Sequence, residues 1–296
     1  MKAIIFNLSA WIMLPIMDGF AKYLSSDIPV LQITWARYFF TIVFTLPVIF
    51  FFYKKEFKWT EKPKLQLLRG VILLCANILF FYSISVISLA KALTLAFVAP
   101  LFVTALSPIF LNEKVGFRRW AAVIVGFLGS LIVIRPGFIE FNIASIAALG
   151  TGVLYGFYLI VTRKLSTSDS PLLTLLLTGA VGATIMSLFT PTFWVWPTLN
   201  QWSMMAAVGF FASVGHLLLI LSLKYADASK LAPFSYFEIV TNIISFRENT
   251  DLADKDGERC LRRPRTLRRV TRVPKCLGFE IEHWEFCFHK KEKHRT

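Results

Sequence analysis

The sequence predicts an all-α fold: a polytopic membrane helix bundle built from inverted five-helix repeats, with the tenth helix missing. Three observations predict it. Apolar runs of bilayer length follow one another as far as Phe246, and 56% of the 296 residues are hydrophobic, with a mean hydropathy of +0.61. Charged residues make up only 17%, against about a quarter in a soluble domain, and they sit in short clusters between the runs. Finally, the stretch Ala90–Glu113 opens on small residues and carries Pro100 and Pro108, and it has a counterpart 138 residues later in Ala228–Phe246, which carries Pro233. Few identities support that overlay (Ala90 with Ala228, Leu93 with Leu231), so the repeat lies in the rhythm of spans.

A helix needs about 20 apolar residues to cross the hydrocarbon. Nine runs are read as spans: Ala3–Leu24, Ile28–Tyr53, Leu65–Ser88, Ala90–Leu111, Trp120–Ile134, Ile143–Thr162, Leu172–Pro191, Trp202–Leu223 and Ala228–Phe246. The fifth is short and is expected to extend toward Phe117. Barrel strands would alternate over about ten residues. These runs are evenly apolar, and a helix satisfies every backbone polar group in hydrocarbon. Lys2 and the apolar stretch after it could pass for a signal peptide. No small-x-small cleavage site follows, and Phe20-Ala21-Lys22-Tyr23 continues the run, so the first helix is expected to be uncleaved. Trp194, Trp196 and Trp202 read as an interfacial belt. Phe50–Phe52 reads as lipid- or core-facing bulk, and Gly152-x-x-x-Gly156 as a site of close helix approach.

The formal net charge of +14 invites a nucleic-acid reading, but the placement of the cations argues for membrane orientation. With the N-terminus inside, the inner loops hold Lys54 through Arg69, Lys114 with Arg118 and Arg119, Arg163 with Lys164, and Lys224 with Lys230. The outer loops hold only Lys22, Lys91 and Arg135. This asymmetry selects one topology, with a cytoplasmic N-terminus in a plasma (inner) membrane. Five helices per unit is odd, so two consecutive units lie in opposite orientation, the arrangement of secondary transporters with a site near the midplane. The units expected are 1–137 and an incomplete 138–246.

After Phe246 the character changes. Residues 247–296 form an anomalous basic tail, read as disordered or out of frame; Arg262–Lys275 holds seven cations and no acid. Nine spans would leave this tail outside, against the charge rule. The expectation is that a frameshift or truncation removed the tenth helix. Cys260, Cys276, His283, Cys287 and His289 in the tail do not follow a zinc-finger spacing. With Cys75 in an apolar run, no disulfide framework is expected.

Trp35-Ala36-Arg37-Tyr38, Ala90-Lys91-Ala92, Pro100, Leu111-Asn112-Glu113, Gly126-Phe127-Leu128-Gly129 and Arg135-Pro136-Gly137 follow in order through the first unit. Ala228-Ser229-Lys230-Leu231-Ala232-Pro233 and Tyr236-Phe237-Glu238 follow in the second. In that order and spacing the chain resembles the drug/metabolite transporter superfamily, in its EamA-type branch of ten-helix permeases, over about Met1 to Phe246. The resemblance implies import or export of a small metabolite without ATP hydrolysis. It names no substrate.

Ionisable groups at membrane depth are costly and point to function. Asp18 in the first span and Arg37 in the second could form a substrate-anchoring or proton-coupled pair, or a structural one. Arg37 could also reach the interface. Glu238 lies five residues after Pro233, whose ring breaks a backbone hydrogen bond; a carboxylate there suits a cation or proton site, or a helix–helix hydrogen bond. His216 could relay protons or simply pack. Asn77, Tyr82 and Asn242 could line a polar path or tie helices together.

The expected function is a secondary transporter of a small organic metabolite, working by alternating access between inverted halves. Its expected partners are that metabolite and the lipid bilayer, with proton coupling and a homodimer both admitted. No nucleic acid, cofactor or metal is expected. No phosphate-cradling loop is present in the sequence, which disfavours an ATP-driven pump. Two alternatives stand beside it: a polytopic membrane enzyme acting on a lipid-linked substrate, disfavoured because the ionisable groups are spread over different spans, and a non-functional truncated permease.

Overall fold

The computed structural model describes residues 1–53, 59–134 and 142–242. The helices are α1 (Lys2–Leu24), α2 (Val30–Val48), α3 (Pro63–Val86), α4 (Leu89–Ala96), α5 (Ala99–Leu111), α6 (Phe117–Ile134), α7 (Ile143–Ser166), α8 (Pro171–Phe189), α9 (Leu199–Tyr225) and the short α10 (Ala228–Leu231). A 3-10 stretch, Ala232–Tyr236, leads from α10 into a further helical segment at 237–242. No strand occurs among the described residues. The protein is an all-α polytopic membrane bundle.

Among the described residues, seven segments are long and apolar enough to cross a membrane: Lys2–Leu24, Val30–Phe51, Pro63–Val86, Leu89–Leu111, Ile143–Ser166, Pro171–Phe193 and Leu199–Tyr225. They correspond to seven of the nine expected spans. The fifth does begin at Phe117, but its 18 residues open with Arg118 and Arg119. The ninth is broken after Leu231, and its expected end at Phe246 lies outside the described residues, as do Lys54, Lys55, Lys58, Arg135, Pro136, Gly137 and the tail 247–296 with its cysteines and histidines.

Local chemistry sets the ends of these elements. Ser88, Asn142 and Ser170 accept backbone N–H bonds in the first turns of α4, α7 and α8, and Thr198 with Gln201 forms a reciprocal cap on α9. Pro63 and Pro171 occupy first-turn positions, where the missing N–H costs nothing. Asn112, at φ 54°, turns the chain out of α5. Pro47 withholds a donor near the end of α2, and the helix widens to a π turn over Ile49–Tyr53.

Contacts at the ends fix the directions. At one end, Asn7 of α1 donates to Ser222 of α9, Thr60 and Gln66 donate to Asp169 beyond α7, and Arg163 of α7 donates to the Leu223 carbonyl. At the other, Lys22 of α1 donates to the Ile84 carbonyl near the end of α3, Ser83 donates to Ala144 at the start of α7, and Gln32 of α2 donates to Val195 after α8. So α1 and α7 run in opposite directions. Lys22 places its charge where free carbonyls gather at a helix C-terminus. Trp194 packs edge-on to Trp35 at 5.3 Å and lies 6.0 Å from Trp196 and 6.1 Å from Trp202, so the three tryptophans cluster at this end.

The main pairings are α1 with α9, α3 with α7, α2 with α8 and α9, and α3 with α8. α7 also lies against the joint between α4 and α5. Its glycines make that approach possible: a Cβ on Gly152 would sit 2.6 Å from the Ala96 carbonyl oxygen, and one on Gly156 3.0 Å from Phe102 Cβ. The close approach expected of this pair is what the fold contains.

Gly152→Val should therefore lower the melting temperature of the purified protein, by overpacking worth about 1–3 kcal/mol. Gly129→Ala meets open space and should melt at or slightly above the parent temperature.

Candidate functional site

The fold places a cavity between α1, α2, α3, the α4–α5 joint, α7, α9 and the Ala228–Glu238 stretch. Its volume is about 100 Å³; the empty space with its open mouth included comes to about 950 Å³. Two of its walls are broken helices. α4 and α5 are interrupted at Phe97–Val98, just before Pro100, and the ninth span passes through 3-10 geometry at Pro233. Such breaks expose backbone polar groups and are tolerated at membrane depth where they face protein or a cavity.

Of the residues singled out from the sequence, Asp18, Arg37, Asn77, His216 and Glu238 line this cavity. All five are buried. Tyr82 does not join them: it is 39% exposed on the outward face of α3. Asn242 is buried one turn beyond Glu238, donates to the Glu238 carbonyl at 2.9 Å, and is not among the lining residues.

Arg37 organises the polar side. Its Nη2 lies 2.6 Å from His216 Nε2. A guanidinium can only donate, so Nε2 must accept and the neutral ring carries its proton on Nδ1. Nδ1 then donates to Tyr158 Oη at 3.0 Å, which also accepts from Arg69 Nη2 at 2.8 Å. His216 here is a neutral link between an arginine and a tyrosine.

Arg37 and Arg69 differ in how well they are satisfied. Arg69 donates to Thr162 at 2.8 Å, to the Thr174 carbonyl at 3.2 Å, to Thr178 and to Tyr158. Arg37 has His216, a thioether contact from Nε to Met17 Sδ at 3.4 Å, and the Tyr38 ring at 5.0 Å. Among the described residues its Nη1 has no hydrogen-bond partner, and neither has Asp18 Oδ1. The two residues share the cavity yet form no ion pair within 4.0 Å. The Glu238 carboxyl makes no side-chain hydrogen bond among the described residues.

Sequence reasoning placed Arg69 among the inner-loop cations. The structure corrects this: Arg69 lies within α3, fully buried. The loop assignment rested on its nearness to Lys62 and Lys64, but the helix starts at Pro63. Tyr158, Trp11 and Tyr155 were not singled out. Trp11 meets Tyr155 edge-on at 6.5 Å, and Tyr155 stacks on Tyr158 at 5.3 Å. Helix-face spacing from Tyr155 to Tyr158 was the available signal, and core packing explains such a pair equally well.

One end of the bundle is closed by a charged cluster. Glu113, after α5, accepts from the Ala228 and Ser229 backbone N–H groups at 2.9 and 3.0 Å and lies 3.4 Å from Arg163 Nε. Asp227 lies 3.5 Å from Arg119, 3.3 Å from Arg163 and 2.9 Å from Lys230. Partial burial alone would raise the Asp227 carboxyl. The hydrogen bond and charge of Lys230, with Arg163 and Arg119, outweigh it and hold the group below its ordinary 3.8.

The comparisons with known proteins agree with this architecture. Residues 1–135 match the model of the EamA-like transporter family. They form an EamA-like transporter domain. The chain is 27% identical over 228 residues to an S-adenosylmethionine uptake transporter of Rickettsia bellii, covering 77% of this chain and 78% of that transporter. It is 24% identical to a riboflavin transporter of Vibrio cholerae, covering 83% and 84%. It is 25% identical to the pseudopaline exporter CntI of Pseudomonas aeruginosa, covering 77% and 80%. A solved crystal structure shares the fold with a TM-score of 0.66 at 17% identity, over 82% of this chain and 86% of that one. Asp18, Arg37 and Asn77 fall inside the EamA-like domain, whereas His216 and Glu238 lie beyond the matched residues. The chain is a small-molecule transporter embedded in a membrane.

Asp227→Asn should lower stability at neutral pH by less than about 1 kcal/mol, since exposed pairs are worth little. A depressed carboxyl contributes stability above its unfolded value and loses it as pH falls through the folded one. The difference in melting temperature between Asp227→Asn and parent should thus be present at pH 7 and vanish well below pH 3.8.

Proposed function

We propose that the chain is a secondary transporter of a small organic metabolite that works by alternating access around the Arg37 cavity. The observation that carries this reading is a cavity walled by α1–α5 on one side and by α7, α9 and Ala228–Glu238 on the other, with ionisable groups left unpaired inside among the described residues.

Two units, 1–137 and 138–246, form the halves. The helix pairings support this division, because they map onto one another when each span of one unit is exchanged for its counterpart. α1 with α9 becomes α7 with α3; α2 with α9 becomes α8 with α3; α2 with α8 maps onto itself. The opposed directions of α1 and α7, the family match ending at residue 135, and the breaks in both fourth spans agree with it. The Glu113–Arg163–Asp227–Arg119 cluster joins the two units at one end and acts as the closed gate. Cations at that end support a cytoplasmic side for it and for the N-terminus, in a plasma membrane.

Alternating access needs the halves to rock, so the gate must open while the cavity keeps its ligand. Asp18 and Glu238 supply the carboxyls through which a proton would couple to that motion. The relatives' names give S-adenosylmethionine and riboflavin as what they transport, which supports a small organic metabolite here.

Purified protein in proteoliposomes should take up or exchange a radiolabelled metabolite without ATP, with a rate that depends on pH. Glu238→Gln should flatten that dependence by at least severalfold. An unchanged pH profile would remove Glu238 from the coupling, and uptake that needs ATP would contradict secondary transport.

A further inference from the structure

Arg37 presents an unmet donor in a dry site. A buried guanidinium with one good acceptor leaves an unpaired N–H, and each such group costs about 1–3 kcal/mol or more when charged. Helix-centre arginine is itself unfavourable in a membrane. Arg69 shows what a better satisfied arginine looks like here: four acceptors for its five N–H donors. Arg37, which lines the cavity, has a thioether and a neutral imidazole instead, with Nη1 unmet among the described residues. His216 cannot turn to offer more, because its other nitrogen is tied to Tyr158.

Asp18 presents the complementary lack. Its Oδ1 is buried and receives no donor. Glu238 stands in the same cavity. A resident Asp18–Arg37 pair would satisfy both groups and leave nothing for a ligand, yet they do not meet within 4.0 Å. Trp11 and Tyr155 line the same cavity and offer ring surface for a flat group or a cation.

We propose that this cavity binds a zwitterion carrying a flat ring: its anionic group accepts from Arg37 Nη1, its cationic group meets Asp18 with Glu238, and its ring lies on Trp11 and Tyr155. The assignment rests on the reading of the cavity as the transported substrate's site. It divides the candidate metabolites by charge: a neutral ring compound would leave both charges without a counter-ion.

The test uses three adenosine probes on the full-length chain in nanodiscs, read by isothermal titration. S-adenosylmethionine carries the carboxylate and the cations, decarboxylated S-adenosylmethionine lacks the carboxylate, and methylthioadenosine is neutral. The parent protein should bind the first at least tenfold more tightly than either of the others. In Arg37→Gln the first should fall to the affinity of the second, with the second unchanged. In Asp18→Asn both cationic probes should fall toward the neutral one. Equal binding of all three by the parent protein, tighter binding of riboflavin, or no binding of the zwitterion overturns the assignment without any variant. So does an Arg37→Gln protein that elutes as the parent does and loses all three probes equally. Selective binding of the zwitterion without uptake into liposomes would overturn the transport reading alone. Uptake of riboflavin in preference to S-adenosylmethionine would overturn the zwitterion assignment alone.

Discussion

Hydrocarbon offers no acceptor to a guanidinium, and this constraint shapes the centre of the bundle. A buried arginine must find its partners on neighbouring helices or wait for them from a ligand. Arg69 draws α3, α7 and α8 together through Thr162, Thr174, Thr178 and Tyr158. Arg37 joins α2 to α9 through His216 and leaves one face unmet. The first acts as a structural clasp, the second as a clasp with an open donor. The shared Tyr158 and His216 link them, so whatever binds Arg37 is held against a fixed framework.

Much of the fold was legible before any coordinates. Seven of the runs read from the sequence are helices of membrane length, because in lipid an apolar run has few alternatives to a helix. Gly152 and Gly156 declared a close approach, and Ala96 and Phe102 are what they approach. The site was legible only in part. Asp18, Arg37, His216 and Glu238 stood out because charge is rare in such runs, but nothing in their spacing says that four different spans bring them to one cavity. Arg69 was misread since a cation beside a loop cluster looks like a loop cation. Tyr82 and Asn77 lie five residues apart on α3, which turns them to different faces: Asn77 donates to Tyr38 Oη at 2.6 Å in the interior, while Tyr82 faces out.

The two ends of the bundle carry different chemistry. One end holds tryptophans and backbone caps such as Lys22 on the Ile84 carbonyl. The other holds an exchangeable ion network, in which Glu113 caps the start of α10 and meets Arg163. Pairs of this kind are individually weak when partly exposed. A gate made of them can open and re-form with little free energy lost either way, whereas a tightly packed apolar closure would resist.

The account depends on the halves moving against each other around a ligand held at Arg37. Distances between spin labels at Lys114 and Ser168, on the gate end of the two halves, test this most directly when measured with a second pair at Ser26 and Thr192 on the opposite end. All four positions are exposed. Adding a transported ligand should lengthen one pair while shortening the other. Both distances staying fixed, or both changing in the same direction, would contradict alternating access.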